Sequence, residues 1–143
     1  MRPKDIGTAA ETAAKRFLQE AGFADCDRQP LRGSRDTGDL IVCREPLIIA
    51  EVKGGQQAER ASAQMIGTWL EQAETEAVHA GADLAVLIVR RFRRPVALWD
   101  AWMPLSDWVW LADKGRFASG AMRATPLRGS LGDWAALAKG VAV

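Results

Sequence analysis

The chain has one histidine and two cysteines among its 143 residues, and no apolar run approaching the length of a membrane span. Cys26 and Cys43 fall in no CxxC or Cys/His spacing and His79 stands alone, so neither a zinc nor a haem site is expected. Any metal must be held by oxygen. A spanning helix needs about 18 consecutive apolar residues, and Met1-Arg2-Pro3-Lys4-Asp5 leads into an alanine-rich helix rather than a signal-peptide core. The expected location is the cytoplasm, with no membrane partner. An excess of one charge is lacking too: the formal net charge of +1 is too small for a whole-protein basic field that would itself point to nucleic acid.

What is present is globular composition, 48% hydrophobic and 26% charged, and enough length for one core without a disulfide or structural metal. The charges are unevenly placed. Arg28, Arg32, Arg35 and Arg44 crowd around one carboxylate-bearing segment, Arg90, Arg91, Arg93 and Arg94 form a second cluster, and acidic residues gather in 71–76. Each basic cluster reads either as a solvated face or as a track for phosphates.

Helical spacing of Ala10, Ala13, Ala14, Phe17, Leu18 and Ala21 predicts a first helix over 6–21, with Thr8 as N-cap, Glu11 at the capping-box position and Gly22 beyond the C-terminus. A short edge strand is expected within 23–28, then a loop over 29–38 rich in Pro, Gly, Ser and Asp. Leu40–Cys43 and Leu47–Val52 predict an antiparallel hairpin about Arg44-Glu45-Pro46. A second helix spans 58–80 and ends at Gly81, a buried strand covers 84–89, another strand 96–102, and short helices follow at 106–113, capped by Ser106, and 133–139. This order predicts an α/β domain over 1–143 with a mixed central β-sheet flanked by helices, residues 104–143 forming a helical extension.

If the hairpin closes symmetrically about Glu45, Asp39 faces Glu51, Ile41 faces Ile49 and Cys43 faces Leu47, while Lys53 projects on the same face as Glu51. Like charges opposed across a sheet are destabilising, so a facing Asp and Glu call for a cation. Carboxylate oxygens with waters and one backbone carbonyl, that of Val52, suit Mg²⁺, with Mn²⁺ as substitute. Such an ion polarises a phosphodiester and acidifies water, and Lys53 orients the attacking water or adds positive charge. Glu11 lies at the margin of the first helix's apolar stripe; it is either a further carboxylate for this site or the capping glutamate behind Thr8.

Glu11 on a first helix, Arg28 after it, Gly33-Ser34, then Gly38-Asp39-Leu40, and Glu51-Val52-Lys53 closing a hairpin together resemble the archaeal-type Holliday junction resolvases of the PD-(D/E)xK superfamily. The resemblance covers residues 7 to about 53 and departs from the superfamily name in having Gly38 where proline is usual. It implies a restriction-endonuclease-like core, Mg²⁺-dependent cleavage of branched DNA, and a symmetric homodimer that cuts two strands. It also implies an active site of Glu11, Asp39, Glu51 and Lys53, assisted by Arg28 and Ser34.

Arg32, Arg35, Arg90 and Arg91 are the further candidate DNA contacts. Asp36 reads as a turn former, and Gln64 on the second helix falls on its polar side. Other readings of the chain are a nuclease of the same chemistry acting on ends, flaps or duplex DNA, or a DNA-binding protein of the same fold without catalysis. Five of the six tryptophans lie before residue 111; core or interface packing accounts for them better than base stacking. Segment 96–110 carries so much apolar surface that a dimer interface is expected there.

Overall fold

The computed structural model describes residues 3–30, 38–114, 116 and 125–142. Helix α1 (Pro3–Glu20) is followed by strands β1 (Asp27–Arg28), β2 (Leu40–Arg44) and β3 (Leu47–Lys53). The short helix α2 (Gln56–Glu59) and the long helix α3 (Ala63–Ala80) lead into β4 (Leu84–Val89). A 3-10 turn (Val96–Leu98), β5 (Asp100–Pro104), α4 (Leu105–Ala112), β6 (Pro126–Ser130) and α5 (Leu131–Lys139) complete the chain. The strands form one open sheet in sequence order; only β3 and β4, joined through α2 and α3, run parallel. The fold is thus α/β with a mixed sheet flanked by helices. Among the described residues no helix is long and apolar enough to cross a membrane.

Alternation along β3 divides the core. Ile48, Ala50 and Val52 point under α1 and α5, where Ala10, Ala14, Leu18 and Trp134 bury them. Ile49 points the other way, against Ala73 and Ala77 of α3, and Leu87 and Val89 of β4 meet Ile66, Trp69 and Leu70 on that same face. At the end of β3 the chain comes so close to α1 that a Cβ on Gly54 would meet the Ala10 Cβ at 2.2 Å. A missing side chain therefore seats α1 against the sheet, one residue from Glu11.

Several local expectations are corrected. Helix α1 begins at Pro3 and runs through Thr8, so Thr8 is no N-cap and Glu11 no capping glutamate. The second helix is two, broken before Ser62, whose hydroxyl accepts the Met65 N–H and caps α3. Ser106 lies buried inside α4 and does not cap it. The strand expected over 96–102 starts only at Asp100, after the 3-10 turn, and of 23–28 only Asp27–Arg28 is strand. In the hairpin, Leu40 pairs with Ala50 and Ile41 with Ile49, but Cys43 pairs with Ile48 and not Leu47. Val42 is the extra residue of a bulge.

The C-terminal region 104–143 is no helical extension: it supplies strand β6, and Trp134 of α5 is fully buried in the main core. The tryptophan-rich segment likewise loses its surplus of apolar surface. Trp99, Ala101, Met103 and Leu111 are buried, Trp108 packs over Gly129 with its indole N–H on the Leu127 carbonyl, and only Leu98 of 96–110 is a large exposed apolar side chain. The ground for a dimer interface there is gone, because the fold buries Trp99, Met103 and Leu111 and leaves Trp102, Trp108 and Trp110 half-buried rather than exposed.

Candidate active site

Asp39 stands where β2 would make its next ladder contact. Its N–H donates to the Ala50 carbonyl at 3.0 Å, and its carboxylate Oδ2 accepts the Val52 N–H at 2.8 Å. The pairing of β2 with β3 stops at Leu40, so Asp39 is held beside Glu51 by its own N–H and its carboxylate rather than as a ladder partner. Glu51 is 6% exposed on the α3 face, and Lys53, two residues on, reaches back to its Oε1 at 3.3 Å. The Lys53 ammonium also lies 5.6 Å from the centre of the Trp69 ring on α3, which holds it over the sheet end.

Burial, and then the neighbouring Glu51 charge, push the Asp39 carboxyl up to about 7, against the opposing pull of the Val52 N–H; Glu11 raises it further and Lys53 lowers it. Two carboxylates share a poorly solvated spot, and one holds its proton near neutrality for that reason. Glu11 belongs to the same electrostatic neighbourhood but not to the pair. Its carboxylate lies 3.8 Å from Arg28, and burial raises its own pKa while Arg28 lowers it. Arg28 in turn donates to the Thr8 carbonyl at 3.1 Å and to the Thr12 hydroxyl, tying β1 to α1.

Comparison with protein-family models, curated proteins and solved structures finds no match. The site is read from its own geometry.

Among the described residues no three His, Cys, Asp or Glu side chains stand together as a metal-holding group. Mg²⁺ does not need three, since it commonly binds through one or two carboxylates, keeps several waters and completes its shell with substrate phosphate. Asp39 and Glu51 are hard oxygen donors whose mutual repulsion a divalent cation would relieve, so the pair fits such an ion. Val52 adds a possible third donor: the Lys53 carbonyl accepts the Arg90 N–H on the β4 side, whereas the Val52 N–H faces Asp39 on the β2 side, so alternate peptide groups of β3 address that edge. Glu11 would have to leave Arg28 to join.

Arg32, Ser34 and Arg35, like Asp36, lie outside the described residues. Arg90 and Arg91 are at the end of β4, beyond Lys53: the Arg90 guanidinium rests 4.6 Å from the Phe92 ring centre, and Arg91 lies 3.4 Å from Asp100. Sequence reasoning missed Trp69 beneath Lys53 and the polar stripe of α3. Glu51 and Lys53 line a groove of about 480 Å³ with Thr68, Gln72, Glu76 and His79, and Glu76 is only 7% exposed. The available signal was the helical spacing of those four residues, which reads equally as a solvated face. Gln64 is exposed, as its projection implied.

Arg28→Ala separates its two possible roles. As a tie between β1 and α1, its loss should lower stability by about 1 kcal/mol and shift the denaturant midpoint. A residue that serves only to contact DNA would instead lose affinity at an unchanged midpoint.

Proposed function

We propose that this protein is a metal-dependent DNA endonuclease of the PD-(D/E)xK type that hydrolyses phosphodiesters. The observation that carries the reading is the convergence of Asp39, Glu51 and Lys53 at one sheet end, with the Asp39 carboxyl pushed up to about 7 beside a second buried carboxylate. Such an acidic pair has little structural merit: it costs stability unless a cation or a reacting group is meant to sit there.

Asp39 and Glu51 would hold Mg²⁺, which when bound polarises the scissile phosphate and acidifies water. Lys53, positioned by Glu51 and the Trp69 face, is a fixed positive charge for a non-bridging phosphate oxygen and a donor that orients the attacking water. Water adds its oxygen to phosphorus, the bond to one bridging sugar oxygen breaks, and that oxygen leaves with a proton. Glu11, held by Arg28, acts on the pair through its charge.

Branched DNA, a four-way junction in particular, is the proposed substrate, cut by a two-fold homodimer because the junction presents two strands related by a two-fold axis. Linear, flap, nicked and four-way DNAs incubated with Mg²⁺ or with Ca²⁺ test both parts. Cleavage is expected with Mg²⁺ alone and fastest on the four-way substrate. Sedimentation should show two chains per junction; one chain per DNA with equal cutting of flaps would move the reading to a single-cut nuclease, and no cleavage of any DNA would remove it.

A further inference from the structure

Strand register sets Glu51, Leu87, Trp102 and Arg128 in one row across β3, β4, β5 and β6. Partners across neighbouring strands share a face, and Leu87 and Trp102 pack with Trp69 and Ile66, so this is the α3 face. Glu51 is at one end of the row and Arg128 at the other, three strands away, or about 14 Å. Around Trp102 and Arg128 opens a cleft of about 310 Å³ to which Arg90, Arg91 and Phe92 also contribute.

We infer that this cleft holds an unpaired stretch of DNA beside the cutting site, a phosphate between Arg90 and Arg128 and a base against Trp102. The inference rests on the nuclease reading above and specifies its substrate. Charge supports it first. The cleft's carboxylates are Asp100, which is occupied with Arg91, and Glu59. Arg90 rests over the Phe92 ring, 4.6 Å from its centre, and Arg128 makes no ion pair among the described residues. Two guanidiniums are thus left to bind an anion bidentately.

Size supports it second. A double helix, whose major groove alone is about 12 Å wide, cannot enter a cleft of about 310 Å³, whereas one strand can place a base on an aromatic floor. Continuity is the third support. The Arg90 N–H donates to the Lys53 carbonyl at 2.9 Å, and Ala58 of α2 lines both this cleft and the neighbouring one at Lys53. A strand leaving Arg128 therefore has only α2 to cross before reaching Lys53.

The test measures fluorescence anisotropy of a short labelled oligothymidylate, and of a duplex of equal length, over a salt series without divalent ion. Joint replacement Arg90→Ala and Arg128→Ala should reduce the single-strand salt slope by about 0.7 and the affinity at 0.1 M salt about fivefold, since the one phosphate the two guanidiniums share accounts for about 0.7 of the slope. The duplex should lose less than about twofold. Trp102→Phe should keep the affinity and abolish the quench of tryptophan emission by the bound strand. Equal losses on duplex and single strand, an unchanged salt slope in a variant with wild-type melting, or a quench that survives Trp102→Phe would each overturn the subsite. Because no metal is present, none of these outcomes depends on cleavage, and the nuclease reading stands or falls separately on the Mg²⁺ assay.

Discussion

Glu51→Gln is expected to cut DNA at least about a thousandfold more slowly than the wild type, the loss of some 4 kcal/mol of transition-state stabilisation. The substitution keeps the shape of a side chain that is 6% exposed and removes only its charge. Two effects then act together. The ion-holding pair is reduced to one carboxylate, and Lys53 loses the anion that lies 3.3 Å from its ammonium. Asp39→Asn and Lys53→Ala should fall in the same range. Single-turnover cleavage at saturating Mg²⁺, with circular dichroism to confirm folding, reads all three; a wild-type rate in any of them would remove that residue from the reaction. DNA binding in Ca²⁺ should persist, because the guanidiniums of the basic cleft, Arg90 and Arg128, are untouched by these substitutions.

The second large effect concerns stability without metal. The Asp39 carboxyl has an ordinary value of 3.8 and in the folded chain is pushed up to about 7. Between those values the folded state binds more proton than the unfolded state, so stability falls as pH rises from about 4 to about 7 and levels off above. This carboxylate therefore works against folding at pH 8, by about 2 kcal/mol after solvent screening of a partly buried group. Asp39→Asn retains an acceptor for the Val52 N–H and should raise the denaturation midpoint at pH 8 while leaving it unchanged at pH 4. Mg²⁺ should restore the lost stability to the wild type alone, with proton uptake or release on binding visible as a buffer-dependent heat near pH 7. A pH-independent difference between the two proteins would show that Asp39 is not the titrating group.

Much of this was legible before any coordinates because period and polarity speak directly: the alternation through Leu47–Lys53 sets which residues face which layer, and Gly81 ends α3 in a left-handed turn as its type implies. Position within an element was less legible. Thr8 has the chemistry of a cap, yet helix α1 continues back to Pro3, since nothing local forbids the extra turn. The tryptophans illustrate another limit: counting apolar side chains cannot reveal that α5 brings Trp134 beneath β5, where its indole N–H meets the Met103 sulfur. Arg128 was invisible for the same reason, because Pro-Leu-Arg-Gly-Ser has little strand signal and pairing with β5 alone makes it a strand. At the site, Asp39, Glu51 and Lys53 followed from local spacing, whereas the Arg28 hold on Glu11 spans two elements and needed the fold.

The bulge at Val42 has a consequence for how the hairpin tolerates change. Near the turn the strands are in one register, Arg44 with Leu47; near Asp39 they are in another, one residue out of step. Carried through unbroken, the turn's own register would set Leu40 against Glu51 and rotate Leu40 and Val42 out of the core beneath α1. The parity of the hairpin is thus reset once along its length, and the acidic pair depends on that reset rather than on the turn. An insertion or deletion between Ile41 and Leu47 would act as a frame shift in space: an odd change exchanges the two faces of the strand, and an even one only moves the turn outward or inward. Drift in length at this hairpin is confined to steps of two, although its tip is exposed and makes no part of the site.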